Sequence, residues 1–417
     1  TGAPPDASPN HGELCVKGRF GYGHYLDGSR LTKPMVKKGD KLVEVTWEEA
    51  FDAVTKGFKK VFEDNDRDQT LVAASPKLTN EELYLAGMLA RAAIGTNNTT
   101  SFHKMTTDPA SHALDDMLGY TAATVNGDEA ANADMYLFLG GNPTSENPVL
   151  GWKLKRRIKR GIPSVVINSG EIDLADYATV WADPRRGTST ILLNAVMARL
   201  IENGKVNEDF IKNRTANFEQ IRQELAKTDI DEAASVCGVA VETIDAVANL
   251  LADPSKKLVA YYNLDSRIDR SNNELKALMT LLLMLGKVGV EGSGLVLTSS
   301  QCNYTGMQMV GFDRHLLPGG VSASDEKALK DVGALWQTDL AKTMKESGAN
   351  LSKKMREDKI RAAIILGENP AKDAEFNAFV DKLDFLVVAD LFKTETVQMA
   401  DGFLPLSAYL EKLGDLT

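Results

Sequence analysis

Short apolar runs closed by glycine and followed by helix-patterned segments recur along this chain, and that alternation restricts the fold more than any other feature. Met135–Leu139 is a five-residue apolar run ending in Gly140-Gly141-Asn142-Pro143, and Ala362–Leu366 is another ending in Gly367-Glu368-Asn369-Pro370. Leu71–Ala74, Ser164–Ile167, Val180–Ala182, Leu258–Tyr262, Phe385–Ala389 and Gly402–Leu404 read as further short buried strands. Thr46-Trp47-Glu48-Glu49 and Thr79-Asn80-Glu81-Glu82 are capping-box starts, in which the hydroxyl takes a backbone N–H and the later glutamate reaches back. Helical periodicity follows each, and again near residues 150–159, 191–201, 207–213, 216–226, 240–252, 273–285 and 374–382; residues 323–357 are polar and largely helical. Strands alternating with helices predict α/β layers with parallel sheets covered on both faces. Ligands of such sheets bind at the carboxyl ends of the strands. The two similar strand ends, GGNP and GENP, are therefore candidate binding loops: glycine lets backbone N–H groups approach a ligand, and asparagine offers a donor and an acceptor. Such turns also close strands without binding anything. Neither is a G-x-G-x-x-G fingerprint, and no P-loop occurs.

At 417 residues the chain has room for two or three domains. No apolar run approaches the roughly 18–20 residues of a membrane span, so no direct membrane insertion is expected. A net charge of −10 argues against a nucleic-acid surface. Cys15, Cys237 and Cys302 lie too far apart for a disulfide framework and fit a reducing, cytoplasmic compartment. Cys237, in EAASVCGVA, reads as core at a helix end, and Cys302 also reads as core.

Residues 10–34, NHGELCVKGRFGYGHYLDGSRLTKP, set Cys15 two positions before Lys17 in a glycine-punctuated segment. This resembles a motif of the molybdopterin oxidoreductases, a superfamily that includes formate dehydrogenases, nitrate reductases and the large iron–sulfur subunit of NADH–quinone oxidoreductase. The resemblance continues through SPKLTNEELYLAGMLARAAIGTNN (75–98), Gly140–Pro148, Arg185–Thr188, Gly286–Gly294, Gly367–Pro370 and Asp390–Glu411, in the family's order. It implies two interleaved Rossmann-like parallel-sheet domains of the formate dehydrogenase/DMSO reductase type. One would be built from 46–102 plus 303–417 and the other from 103–302. Residues 1–45 would be a remnant, with short β pieces, of an N-terminal 4Fe–4S domain. Cys15 would be the fourth cluster ligand in the full-length protein, and Lys17 would carry electrons between cluster and pterin. Fourteen residues precede Cys15 and none is cysteine, so the resemblance implies a fragment without its cluster; a last, cofactor-capping β-barrel would follow the end.

Each domain would offer its strand ends to one half of a bis-molybdopterin guanine dinucleotide. Gly140, Asn142, Gly187 and Thr188 match one half; Gly367, Asn369, Asp390 and Thr394 match the other. Catalytic positions depart from those of an active enzyme. About eight residues after GTNN, where the family places a metal-bound cysteine or selenocysteine and then histidine, stand Thr106 and Thr107. An alcohol is a poor ligand for a metal that favours thiolate, because its pKa lies far above 7. The family's substrate-binding arginine is replaced by Ser299, the nucleotide-reading "DPR" by Asn168-Ser169-Gly170, and the acid of "RPGTD" by Ser189. His103 and His112 lie near these positions and read as surface or helix-cap residues. The expectation is a domain of a redox-complex subunit, like the large iron–sulfur subunit of NADH–quinone oxidoreductase or the large subunit of a formate dehydrogenase. It would serve electron transfer without molybdenum chemistry, with flavin- or NADH-binding and Fe–S subunits as partners. It would be cytoplasmic, or held at the inner membrane by those partners. Two alternatives stand beside it: an active molybdo- or tungstopterin enzyme with a non-cysteine ligand, and a purely structural docking module.

Overall fold

A computed structural model describes residues 4–6, 10–265, 273–346 and 351–417; the side chains of residues 104, 106–112, 345 and 346 lie outside that description. The chain divides into two compact units, Thr1–Gly21 with Thr107–Ser300 and Tyr22–Thr106 with Gln301–Thr417.

The first unit is built on a parallel sheet of five strands in the spatial order Val180–Ala182, Ser164–Ile167, Met135–Leu139, Leu258–Asn263, Gly294–Thr298. The chain steps outward from Met135–Leu139 in one direction, then crosses back and steps outward in the other. The order therefore reverses between Met135–Leu139 and Leu258–Asn263, which makes the loops there the natural ligand crevice of such a sheet. Every residue of Met135–Leu139 and Leu258–Asn263 is buried, as expected where helices cover both faces. The helix Ser189–Glu202 buries Leu192, Leu193, Val196, Met197 and Leu200. No single helix among the described residues is long and apolar enough to cross a membrane.

The second unit carries a seven-stranded sheet in the order Lys41–Glu44, Met35–Lys38, Gly402–Pro405, Phe385–Asp390, Ala362–Leu366, Thr70–Ala74, Thr99–Thr100. The five strands from Gly402–Pro405 onward run parallel, and the 35–44 hairpin closes the edge antiparallel to Gly402–Pro405. Residues 22–45 are thus part of this unit. Its order reverses between Thr70–Ala74 and Ala362–Leu366, in register Ala74 to Leu366. Both capping boxes form. Thr46 Oγ1 accepts from the Glu49 N–H at 3.2 Å and Thr79 Oγ1 from the Glu82 N–H at 3.4 Å, with each glutamate returning to the threonine N–H.

Two of the elements that were not anticipated bear on the strand ends. Phe102–Leu118 is a helix, although its sequence is rich in Thr, Asp and Ser, which favour non-helical local hydrogen bonds. Its first turn is capped from 266 residues away by Glu368, a tertiary cap that no local pattern reveals. Gly294–Thr298 is a strand, hidden behind the glycine-rich loop that precedes it. A third departure is smaller: the helix opened by Thr79 runs regularly only to Met88, continues as a π-helical turn Leu89–Ile94, and ends at Gly95 with φ +91.

Candidate functional site

At the carboxyl edge of the first unit the Gly140-Gly141-Asn142 turn closes the strand Met135–Leu139. Gly141 is required sterically: a Cβ there would sit 2.7 Å from the ring of Tyr261. Asn142 Oδ1 accepts from Thr144 Oγ1 at 2.8 Å. The next charged side chain, Glu146, spans the order-reversal point, accepting from Asn263 Nδ2 at 2.8 Å and from the Tyr261 hydroxyl at 3.4 Å. At the neighbouring strand ends, Asp183 Oδ1 accepts the Gly170 N–H at 2.8 Å. Thr188 Oγ1 donates to the Arg185 carbonyl at 2.7 Å. The Arg185 guanidinium donates to the carbonyls of Ser235 and Val236, at 2.8 and 3.1 Å, capping the helix Ile230–Cys237. The arginine of this loop is therefore used inside the fold. Cys237 is buried as expected, its Sγ 3.5 Å from the Thr188 carbonyl, and burial pushes its thiol up. Ser169 Oγ is buried without a hydrogen-bond partner among the described residues. Ser299 Oγ donates to Asp265 Oδ2 at 3.2 Å, and the Ser300 N–H donates to the same oxygen. Ser299 thus helps hold two strand ends together.

The carboxyl edge of the second unit gathers Lys77, Gly367, Glu368, Asn369, Asp390 and Thr394. Asn369 is occupied within its own loop: Oδ1 accepts the Thr396 N–H and hydroxyl at 3.1 and 2.8 Å, and Nδ2 donates to Glu395 Oε2 at 2.6 Å. Thr394 caps the helix Glu395–Met399 through the Val397 N–H. Asp390 accepts the Leu391 N–H at 2.7 Å and Thr394 Oγ1 at 3.4 Å, and burial holds its carboxyl above the usual range. Glu368 accepts the N–H groups of Phe102 at 3.0 Å and His103 at 3.5 Å. Burial pushes its carboxyl up to about 7, against the lowering effect of those N–H groups and of Lys77. Sequence reasoning singled out the glycine and asparagine of GENP and passed over Glu368. The available signal was an acid directly at a strand end, where bulk water is its usual partner. Lys77 was likewise quoted within SPKLTNEE without a role.

The remaining expected residues are distributed as follows. Cys15 is the half-buried N-cap of the short helix Val16–Phe20, and Lys17 is exposed on that helix. Thr106 and Thr107 lie on the helix Phe102–Leu118, but their side chains, like that of His112, fall outside the described residues. His103 sits in the first turn of that helix, its ring edge-on to Tyr304 with centroids 6.4 Å apart. Cys302, expected in the core, is exposed, because it lies in the turn before Tyr304–Met309 with its Sγ 3.9 Å from the Pro76 carbonyl. The fully buried Arg91, also unanticipated, donates to Asn97 Oδ1 at 2.8 Å and to the carbonyls of Gly311 and Asp313 at 2.7 and 2.5 Å. No group of three or more His, Cys, Asp or Glu side chains among the described residues is arranged to hold a metal ion.

Residues 30–416 match the family described as molybdopterin oxidoreductase, and the chain belongs to that family. It is 30% identical over 420 residues to a probable oxidoreductase, YjgC, of Bacillus subtilis, covering 99% of this chain and 43% of that one. It is 29% identical over 414 residues to the F420-dependent formate dehydrogenase subunit alpha of Methanocaldococcus jannaschii, covering 98% of this chain and 60% of the relative. The chain therefore spans about half the length of the curated relatives it matches. Acetylene hydratase from Pelobacter acetylenicus has a similar structure, with a TM-score of 0.74 at 18% identity over 98% of this chain and 59% of that one. That likeness supports the DMSO reductase-type fold.

Membership implies a molybdopterin cofactor, and the chain's own donors can be tested against it. The strand-end loops fit a nucleotide. The orphaned Ser169 hydroxyl of the first unit and the exposed Lys77 of the second are unspent donors where sheets of this kind hold ligands. A four-iron cluster does not fit this chain: it needs four thiolates, and the sequence has three cysteines, of which Cys237 is buried at a helix end and Cys302 belongs to the other unit.

Proposed function

We propose that this chain is the paired α/β portion of a redox-complex subunit that takes part in electron transfer and has given up metal–thiolate chemistry at the pterin. The observation that carries the reading is the identity of three residues. Thr106 and Thr107 occupy the helix Phe102–Leu118 where thiolate and histidine are implied, and Ser299, hydrogen-bonded to Asp265, stands where a substrate-binding arginine is implied. A neutral alcohol offers neither the charge nor the low pKa of a thiolate, and serine lacks the bidentate fork that holds a carboxylate. In this reading residues 1–45, of which 22–45 pack with the second unit, derive from an Fe–S domain completed in the full-length protein, with Cys15 as its fourth ligand and Lys17 beside it. Residues 46–102 with 303–417, and 103–302, form the two nucleotide-facing domains. Gly140, Asn142, Gly187, Thr188, Gly367, Asn369, Asp390 and Thr394 belong to the strand-end loops that would face a dinucleotide. The partners are flavin- or NADH-binding and Fe–S subunits in the cytoplasm, consistent with the "subunit alpha" name of the formate dehydrogenase relative.

A second reading, an active formate dehydrogenase with a non-cysteine ligand, is favoured by the 98% coverage of this chain in the match to that relative. Formate-dependent dye reduction by the full-length protein separates the two. The proposal expects none. Activity that Thr106→Ala abolishes would establish the second reading.

A further inference from the structure

The helix Pro148–Lys159 joins the strands Met135–Leu139 and Ser164–Ile167 of the first unit. Gly151, Leu154 and Ile158 are buried and set its inner face. Helical spacing then places Trp152, Arg156 and Lys159 together on the outer face. All three are exposed, as is Arg160 after them. This face lies on the outside of the helical layer and not at the strand ends.

Residues 153–160 hold six cations and no acid, in a chain whose net charge is −10. Acids reach only some of them. Lys155 pairs with Asp173 at 2.6 Å and Arg156 with Glu13 at 3.2 Å, and Arg157 turns inward to the Ala133 carbonyl at 2.9 Å. Lys159 and Arg160 make no ion pair among the described residues. Aromatic side chains are built into the same face. The Tyr177 ring, 38% exposed, lies against two ammonium groups, with Lys155 Nζ 5.0 Å and Lys159 Nζ 4.9 Å from its centroid. Trp152, 41% exposed, stands one turn before Lys155 and Arg156. The cation–π contacts hold the Tyr177 ring in place, so covering it costs little further side-chain freedom. Exposed Trp and Tyr among Arg and Lys have the composition of a protein-binding hot spot with a charged rim.

We propose that the outer face of Pro148–Lys159, together with Tyr177, docks an acidic surface of a partner protein. Trp152 and Tyr177 are the anchors, and Lys159 and Arg160 supply the unclaimed charge. The charge of the whole chain selects the class of partner. A nucleic acid or an anionic bilayer meets the repulsive field of the full −10 chain as well as the patch. A globular partner has to match only the patch, and its acids face cations that no acid of this chain has claimed. The inference goes beyond the electron-transfer reading and does not depend on whether the pterin site holds a metal.

The test puts the photo-reactive residue p-benzoylphenylalanine in place of Trp152 in the full-length protein, irradiates extracts of its own host, and maps the cross-linked segment by mass spectrometry. The expected result is one partner protein joined through a segment of net negative charge. The yield should fall about tenfold in the double variant Lys159→Glu with Arg160→Glu. It should also fall, by less, in Arg160→Glu alone, whose side chain makes no hydrogen bond within the fold. Replacing the acids of the mapped segment with lysine should restore the yield of the double variant, a rescue that a misfolded helix could not give. No cross-link, a cross-link to nucleic acid or lipid, a mapped segment without an excess of acids, an undiminished yield in the double variant, or failure of the exchanged charges to restore it would overturn the proposal.

Discussion

Replacing Glu368 with glutamine should make the second unit more stable in neutral and alkaline solution, the opposite of what removing a helix cap usually does. Glu368 accepts two N–H groups at the start of Phe102–Leu118, yet burial moves its carboxyl from 4.5 in the unfolded chain to about 7 in the fold. The folded state then holds this proton more tightly than the unfolded state does. Stability from this group is complete below pH 4.5, declines as pH rises, and is fully lost above pH 7. The span amounts to about 3 kcal/mol. Glutamine is neutral at every pH and keeps one carbonyl to accept the Phe102 N–H. For a unit of about 200 residues, each kcal/mol moves Tm by roughly 2–4 °C. The window from pH 5 to pH 8 covers about 2.5 kcal/mol of that span, so relative to wild type Glu368→Gln should gain roughly 5–10 °C across it in the melting transition of this unit. Scanning calorimetry across that range measures it. Parallel pH profiles for the two proteins would show that Glu368 is not held above its ordinary pKa, and the reasoning would fail.

Two further substitutions probe the packing of the second unit. Arg91→Met removes the donors that Arg91 supplies to Asn97 Oδ1 and to the carbonyls of Gly311 and Asp313. It should cost about 3–5 kcal/mol in denaturant unfolding; a loss below about 1 kcal/mol would mean that those acceptors find other partners. Gly306→Ala places a Cβ 2.1 Å from Asn303 Oδ1 and 2.2 Å from Asn80 Oδ1. It should cost about 1–3 kcal/mol by overpacking, read as a lowered Tm, and an unchanged Tm would contradict the contact.

The fold was largely legible because its strands are buried on both faces and so appear as unbroken apolar runs. Met135–Leu139, Ser164–Ile167 and Ala362–Leu366 stand in the structure with the bounds read from the sequence. Capping boxes gave the starts of Trp47–Asp64 and Asn80–Met88 for the same local reason. What escaped was decided at a distance. The helix Phe102–Leu118 owes its cap to Glu368, and the π-helical turn Leu89–Ile94 includes Arg91, whose partners Gly311 and Asp313 lie more than 200 residues away. The glycines and asparagines of the strand ends were visible as types, but not the use to which each is put. Asn369 and Arg185 serve their own loops, while Lys77 and Glu368, unremarked in the sequence, carry the charge of the second edge.

The central claim, that this family member works without metal–thiolate chemistry, is tested most directly by elemental analysis of the full-length protein purified from its own host. The account predicts iron but neither molybdenum nor tungsten in stoichiometric amount, because Thr106 offers no thiolate. One molybdenum or tungsten atom per chain would contradict it.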